Sequence, residues 1–229
     1  MITILQIETS TQFCSAAISR NGTTIALKEA SGQNLHAGSL TLFIEEVMQQ
    51  ANLKYADLDA IAVSKGPGSY TGLRIGVSTA KGLCYALDKP LIGIDTLNMM
   101  AAGFLQANPD YNELVCPMID ARRLEVYTAL YSPLGDMIEP VTAKIIDEHS
   151  FEPALRAAKI VFIGDGAAKC KDLIVSQHAQ FNEENFNTAA NMSALAYQQY
   201  LASAFEDVAY FEPFYLKDFM ITTSKKKAF

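Results

Sequence analysis

Ser64-Lys65-Gly66-Pro67-Gly68-Ser69-Tyr70-Thr71-Gly72-Leu73-Arg74-Ile75-Gly76 is the stretch on which the reading of the fold turns. Before it, residues 59–64 read as a short buried strand, and after it residues 71–87 read as a helix. A glycine-rich turn between a strand and a helix is where α/β folds place ligand loops. Its glycines approach G-x-G-x-x-G with one residue too many, and a proline stands in the middle. No GK[ST] follows, so it is not a Walker loop, and Ser69 lacks the flanking glycines of a nucleophile elbow. Two readings stay open: an anion or nucleotide site, and a tight strand-to-helix turn.

Outward from this loop the chain divides into two similar halves. Residues 2–7 read as a central strand. Residues 14–19 and 23–28 follow as a hairpin joined at Asn21-Gly22, a strong turn signal. Leu40, Phe43, Ile44, Val47, Met48 and Ala51 then share one face of a helix over 36–51, opposite Glu45, Glu46, Gln49 and Gln50. A strand at 90–94 leads into a helix reaching about 106, capped by Asp95 or Thr96. The segment Ala107-Asn108-Pro109-Asp110 is the boundary candidate, giving lobes of 1–106 and 107–229. The second half opens with strands at 114–119, 125–131 and 137–146. A helix at 151–158, a strand at 160–163, a helix from Ala167 and another at 193–205 follow. A meander followed by alternating helices and strands, twice over, predicts mixed sheets with helices on their faces, an α/β fold.

Composition narrows the function. The 229 residues are 50% hydrophobic and 19% charged, with 18 basic and 25 acidic residues and a net charge of −7. That balance disfavours holding nucleic acid unaided, because phosphate binding runs on clustered cations. The one dense basic run is Lys225-Lys226-Lys227, which reads as a solvated tail. The start of the chain has no export signal, and the longest uncharged run, 185–205, is laced with Asn, Gln, Thr and Ser, so no membrane span is expected. Cys14, Cys84, Cys116 and Cys170 form no CxxC and read as buried free thiols in a reducing cytoplasm. His36, His149 and His178 share no metal-ligand spacing. Glu8-Thr9-Ser10-Thr11 reads as a strand-end hydrogen-bond cluster, although an acid beside hydroxyls could also orient a phosphate or Mg²⁺. Asp120-Ala121-Arg122-Arg123 reads as an ion-paired turn after a strand.

The helix after the loop has an unusual edge. Gly72, Gly76 and Ala80 stand four apart, and a glycine inside a helix costs about 1 kcal/mol relative to alanine. Their repetition implies that another backbone comes close, either the chain's own sheet or first helix, or a helix of another subunit.

Three segments together resemble the TsaB (YeaZ) family over nearly the whole chain: Ile7-Glu8-Thr9-Ser10-Thr11, the loop from Lys65 to Gly76, and Asp120 through Tyr127. In the loop the motif positions are Gly66, Pro67, Gly68, Ser69, Thr71, Gly72 and Arg74. The resemblance implies an actin/Hsp70-like two-lobe architecture, each lobe RNase H-like, with the last segment packing back on the first lobe. It also implies a non-catalytic dimerization subunit, working with a catalytic sister, TsaD, and an ATPase, TsaE. That assembly transfers threonylcarbamoyl to N6 of adenosine 37 in tRNAs reading ANN codons. ATP and metal are expected on the partner subunits, tRNA contact only through the complex, and a homodimer when the chain is alone. The sister's two metal-binding histidines, four residues apart, fall here on Thr96 and Met100, which replace imidazole poorly. Leu40, Phe43 and Val47 of the first helix, with the Gly72–Gly76–Ala80 groove of the second, are the expected contacts in a four-helix bundle with the sister. Family members usually carry Asp at Glu8, Gly at Leu124 and often Arg at Lys217. The rivals are an active sugar-kinase-like or carbamoyl-transferring enzyme on the same fold, and a homodimer serving an unrelated partner.

Overall fold

A computed structural model describes residues 1–32 and 35–217 of the chain, with the side chains of 35–37 left aside. The Lys225–Lys227 run lies outside the described residues. β1 (Thr3–Glu8) is buried along its whole length, its Ile4, Leu5 and Ile7 and its polar Gln6 and Glu8 alike, as a strand covered on both faces is. It pairs antiparallel with β2 (Phe13–Arg20), which pairs antiparallel with β3 (Thr23–Ser31). Asn21 and Gly22 both take positive φ, 46° and 81°, the geometry a two-residue hairpin demands of its central pair. α1 (Leu35–Gln50) covers β2 and β3, and β4 (Ala60–Gly66) then enters beside β1 in parallel. α2 (Tyr70–Leu87), β5 (Leu91–Asp95) and α3 (Thr96–Ala107) complete a sheet of order β3-β2-β1-β4-β5.

The second sheet repeats the plan. β6 (Leu114–Asp120), β7 (Glu125–Tyr131) and β8 (Met137–Ile145) form the meander. After α4 (Glu152–Ala157), β9 (Ile160–Ile163) lies parallel to β6, and after α5 (Asp165–Ala168), β10 (Ala179–Asn182) lies parallel to β9. Read from the other edge, as β8-β7-β6-β9-β10, the order matches the first sheet position by position. β10 escapes a sequence reading because it is four residues long, half-buried and at the sheet edge, where alternation is too short to register. The helix expected from Ala167 is a single turn that begins two residues earlier. α6 (Ser193–Leu201) ends before 205, where Ser203 takes a left-handed φ of 53°.

The two sheets are not independent. α3 contacts β4 and β5 on one side and β6 and β7 on the other. One buried cluster therefore runs from Ile4, Ile92 and Met100 through Phe104 to Val115, Val161, Ile163 and Met192. Phe104 anchors it, edge-on to Tyr111 at 5.0 Å and to Phe186 at 5.4 Å. Beyond α6 the chain turns back over the first sheet. Glu206 N–H donates to Leu91 O at 2.9 Å, and Phe214 N–H donates to Lys65 O at 2.7 Å. All four cysteines are buried free thiols, and no described helix is long and apolar enough to cross a membrane.

A core shared across both sheets makes them unfold together. Phe104→Ala is expected to cost about 3–5 kcal/mol by cavity formation. Urea titrations followed by probes in each lobe should show one transition that shifts as a unit; separate midpoints for the two lobes would contradict the shared core.

Candidate functional site: the inter-lobe cleft

The glycine-rich loop holds α2 against the end of β1. Ser69 caps the helix, its Oγ accepting from Gly72 N–H at 3.2 Å, while Ser69 N–H donates to Ser10 O at 2.6 Å. Thr9 Oγ1 donates to Gly72 O at 2.8 Å. A Cβ on Gly68 would enter Ser10, one on Gly72 would overlap Thr9 O, and one on Gly76 would overlap Thr9 Oγ1. The Gly66–Pro67 peptide is cis, and Gly66 stands at a φ of 115°.

These contacts correct the expected interface. The Gly72–Gly76–Ala80 edge is filled by the chain's own Thr9 and sheet, with Ala80 0% exposed. Leu40, Phe43 and Val47 sit at 1%, 7% and 0% exposure in the core between α1, α2 and the first sheet. The physical reason is competition for one face: the apolar stripe of a helix flanking a sheet is consumed by that sheet. The outer faces of the two helices carry other residues, among them Leu42 at 55% exposure and Tyr85 at 88%.

Below the loop lies a buried polar hub. Glu8 is fully buried, and its Oε1 accepts from Ser10 N–H at 2.5 Å and from Asn187 Nδ2 at 3.3 Å. The same Asn187 amide donates to Thr11 Oγ1 at 2.6 Å. Burial pushes the Glu8 carboxyl up from its ordinary value, more than the hydrogen bonds from Ser10, Ser64 and Asn187 pull it down. Glu8 Oε2 and Ser64 Oγ are both buried with no partner at ordinary hydrogen-bond distance. Sequence reasoning missed Asn187, since it stands 179 residues from Glu8 and carries no local signal.

Above the hub a cleft of about 420 Å³ opens between the lobes, with Ser10, Thr11 and Ser69–Thr71 on one wall and Asp120, Arg122 and Asp165 on the other. Asp120 does not pair with its neighbouring arginines. Its Oδ1 accepts from Arg122 N–H at 2.7 Å and forms an ion pair with Lys169. Asp120 N–H donates to Asp165 Oδ1 at 3.0 Å; burial, helped by the Asp120 charge, raises the Asp165 carboxyl. Arg122 and Arg123 both take left-handed φ, 71° and 53°, in the exposed β6–β7 turn. At the cleft rim Arg74 lies over the Tyr70 ring at 4.2 Å and its Nε donates to Tyr215 Oη at 3.2 Å, with the two tyrosine rings 4.8 Å apart. Thr96 and Met100 are 0% and 1% exposed in the shared core, so the residues present do not fit a metal. Among the described residues no group of three or more His, Cys, Asp or Glu side chains is arranged to hold one.

Two duplicated sheets with a cleft between them define the actin/Hsp70-like, sugar-kinase type of fold. A likeness to the polyphosphate/ATP-glucomannokinase of Arthrobacter sp. strain KM (TM-score 0.50, 8% identity, 88% of this chain and 100% of that one) bears on the fold alone. The family model for TsaD, tRNA N6-adenosine threonylcarbamoyltransferase, matches residues 28–224, and the chain belongs to that family. Within it the chain goes with the TsaB (YeaZ) members. It is 29% identical over 235 residues to the tRNA threonylcarbamoyladenosine biosynthesis protein TsaB of Haemophilus influenzae, covering 95% of this chain and 94% of that protein. It is 36% identical over 140 residues to the Bacillus subtilis protein of the same name, a match to 61% of this chain and 59% of that one. The solved structure of YeaZ from Pseudomonas aeruginosa superposes with a TM-score of 0.79 at 25% identity, over 94% of this chain and 100% of that chain.

Two outcomes follow from the site. Gly76→Leu should destabilise the isolated chain by about 3 kcal/mol, since the added side chain must displace Thr9 from inside the molecule; an unchanged thermal midpoint would put the glycine edge back on the surface. For Glu8, a carboxyl raised by folding stabilises the native state below the ordinary value of 4.5, and that contribution is lost as pH rises through the folded value. Glu8→Gln cannot ionise, so its urea midpoint relative to the unmodified chain should improve as pH rises above the ordinary value of 4.5. A constant difference across that range would show that Glu8 is not held protonated.

Proposed function

We propose that this chain is the non-catalytic pairing subunit of the assembly that places threonylcarbamoyl on N6 of adenosine 37 in tRNAs reading ANN codons. One observation carries the reading. The family model of the catalytic enzyme covers the glycine-rich loop and most of the chain, while Thr96 and Met100, where the resemblance sets its metal-binding histidines, are buried side chains that offer a metal no imidazole. The acids at the two strand ends are likewise engaged within the chain, Glu8 by Ser10 and Asn187 beneath the cleft and Asp120 by Lys169 on its wall. That weighs against a sugar-kinase-like or carbamoyl-transferring enzyme, which needs free carboxylates across its cleft.

The partners in this reading are a TsaD-like catalytic subunit and a TsaE-like ATPase in the cytoplasm, with ATP and metal on those chains. The chain pairs with itself when they are absent. Its lobes are 1–106 and 107–229. Two subunits of one fold can meet through like faces about an approximate two-fold axis. In this reading the pairing surface is the outer face of α1 and α2, supported by the exposed apolar side chains of Leu42 and Tyr85. With a net charge of −7 the chain reaches tRNA through the complex.

Reconstitution of tRNA modification with and without this chain tests the reading. Modification should need it, and Tyr85→Glu should weaken pairing with the TsaD-like subunit by about 2 kcal/mol in gel filtration or calorimetry while the melting of the chain alone is unchanged. Full modification without the chain, or transfer by this chain alone, would refute the assignment.

A further inference from the structure

We propose that residues 206–217 form a clasp whose end, released from Glu125, opens the inter-lobe cleft while the lobes stay docked. This inference does not depend on the proposed function. The segment is bound along the first lobe at several points. Lys81 Nζ donates to Phe211 O at 2.9 Å and Ala209 O at 3.2 Å, and Phe211 packs over Gly93. At Gly66 the fit is closest: a Cβ there would stand 2.7 Å from Phe214 O, so the glycine-rich loop is shaped to the segment lying on it. Tyr215 then stacks on Tyr70 beside the α2 N-terminus, and Lys217 crosses the cleft to form an ion pair with Glu125 on β7. Lys217 is itself part of the cleft lining.

The core decides which part can move. The cluster around Phe104 and the Asn187 hydrogen bonds to Thr11 and Glu8 join the lobes through buried contacts, so hinge opening would expose them. The Lys217–Glu125 pair is partly exposed, with side-chain exposures of 40% and 21%; such pairs hold weakly and are screened by salt. The segment end is thus the softest wall of the cleft, and lifting it frees Tyr70 and Arg74 from Tyr215 at the start of α2.

Hydrogen exchange on the full chain reads this directly at the Phe214 amide, which donates to Lys65 O. Lys217→Glu should speed its exchange about two- to fivefold, the range for an exposed ion pair. Raising NaCl should speed the unmodified chain but not the variant, and Glu125→Lys combined with Lys217→Glu should restore slow exchange. The clasp is overturned if Lys217→Glu leaves Phe214 exchange and its salt response unchanged, if the charge swap fails to restore it, or if amides of β1 and β4 speed up equally.

Discussion

The contact between the glycine edge of α2 and the backbone of Thr9 is the constraint on which the rest of the molecule depends. It sets the helix close enough to the end of β1 for Thr9 Oγ1 to reach Gly72 O and for Ser69 N–H to reach Ser10 O. With α2 fixed there, the strand end Glu8–Thr11 is turned under the cleft and over the polar hub. The same approach consumes the side of the helix that a partner would otherwise reach, so the glycines serve folding before they serve any assembly.

The second constraint is the shared layer between the sheets. α3 leaves β5 and packs against β6 and β7, and the segment around Ala189–Met192 packs against β1, β2 and α3. A fold that in kinases closes around a ligand is here tied from behind by apolar core and by Asn187. The cleft remains as a shape, with Asp120 on its wall paired to Lys169 and Glu8 in the hub beneath it held by Ser10 and Asn187.

Much of this was legible from residues alone. Asn21-Gly22 marks its hairpin because few other pairs tolerate two left-handed residues, and the loop from Gly66 to Gly76 marks a strand-to-helix junction by its breakers. Both β7 (Glu125–Tyr131) and β9 (Ile160–Ile163) fall where their apolar runs begin and end. β10 and the early end of α6 were not legible, since both are set by packing on neighbours instead of by local pattern. The candidate site divides in the same way. Glu8 and Asp120 stand out as acids at strand ends, whereas their partners Asn187 and Lys169 come from distant segments.

By itself the sequence determined the duplicated α/β plan and the glycine-rich junction, since periodicity and turn chemistry are local properties that survive without coordinates, and its motifs carried the resemblance to the family. Tertiary structure alone decided which side of α2 is open, that Leu40, Phe43 and Val47 are core, and that Glu8 is a buried acid. The reason is that an apolar stripe or a carboxylate states what a residue can do, while only the neighbours brought by the fold decide which of several competing surfaces takes it up.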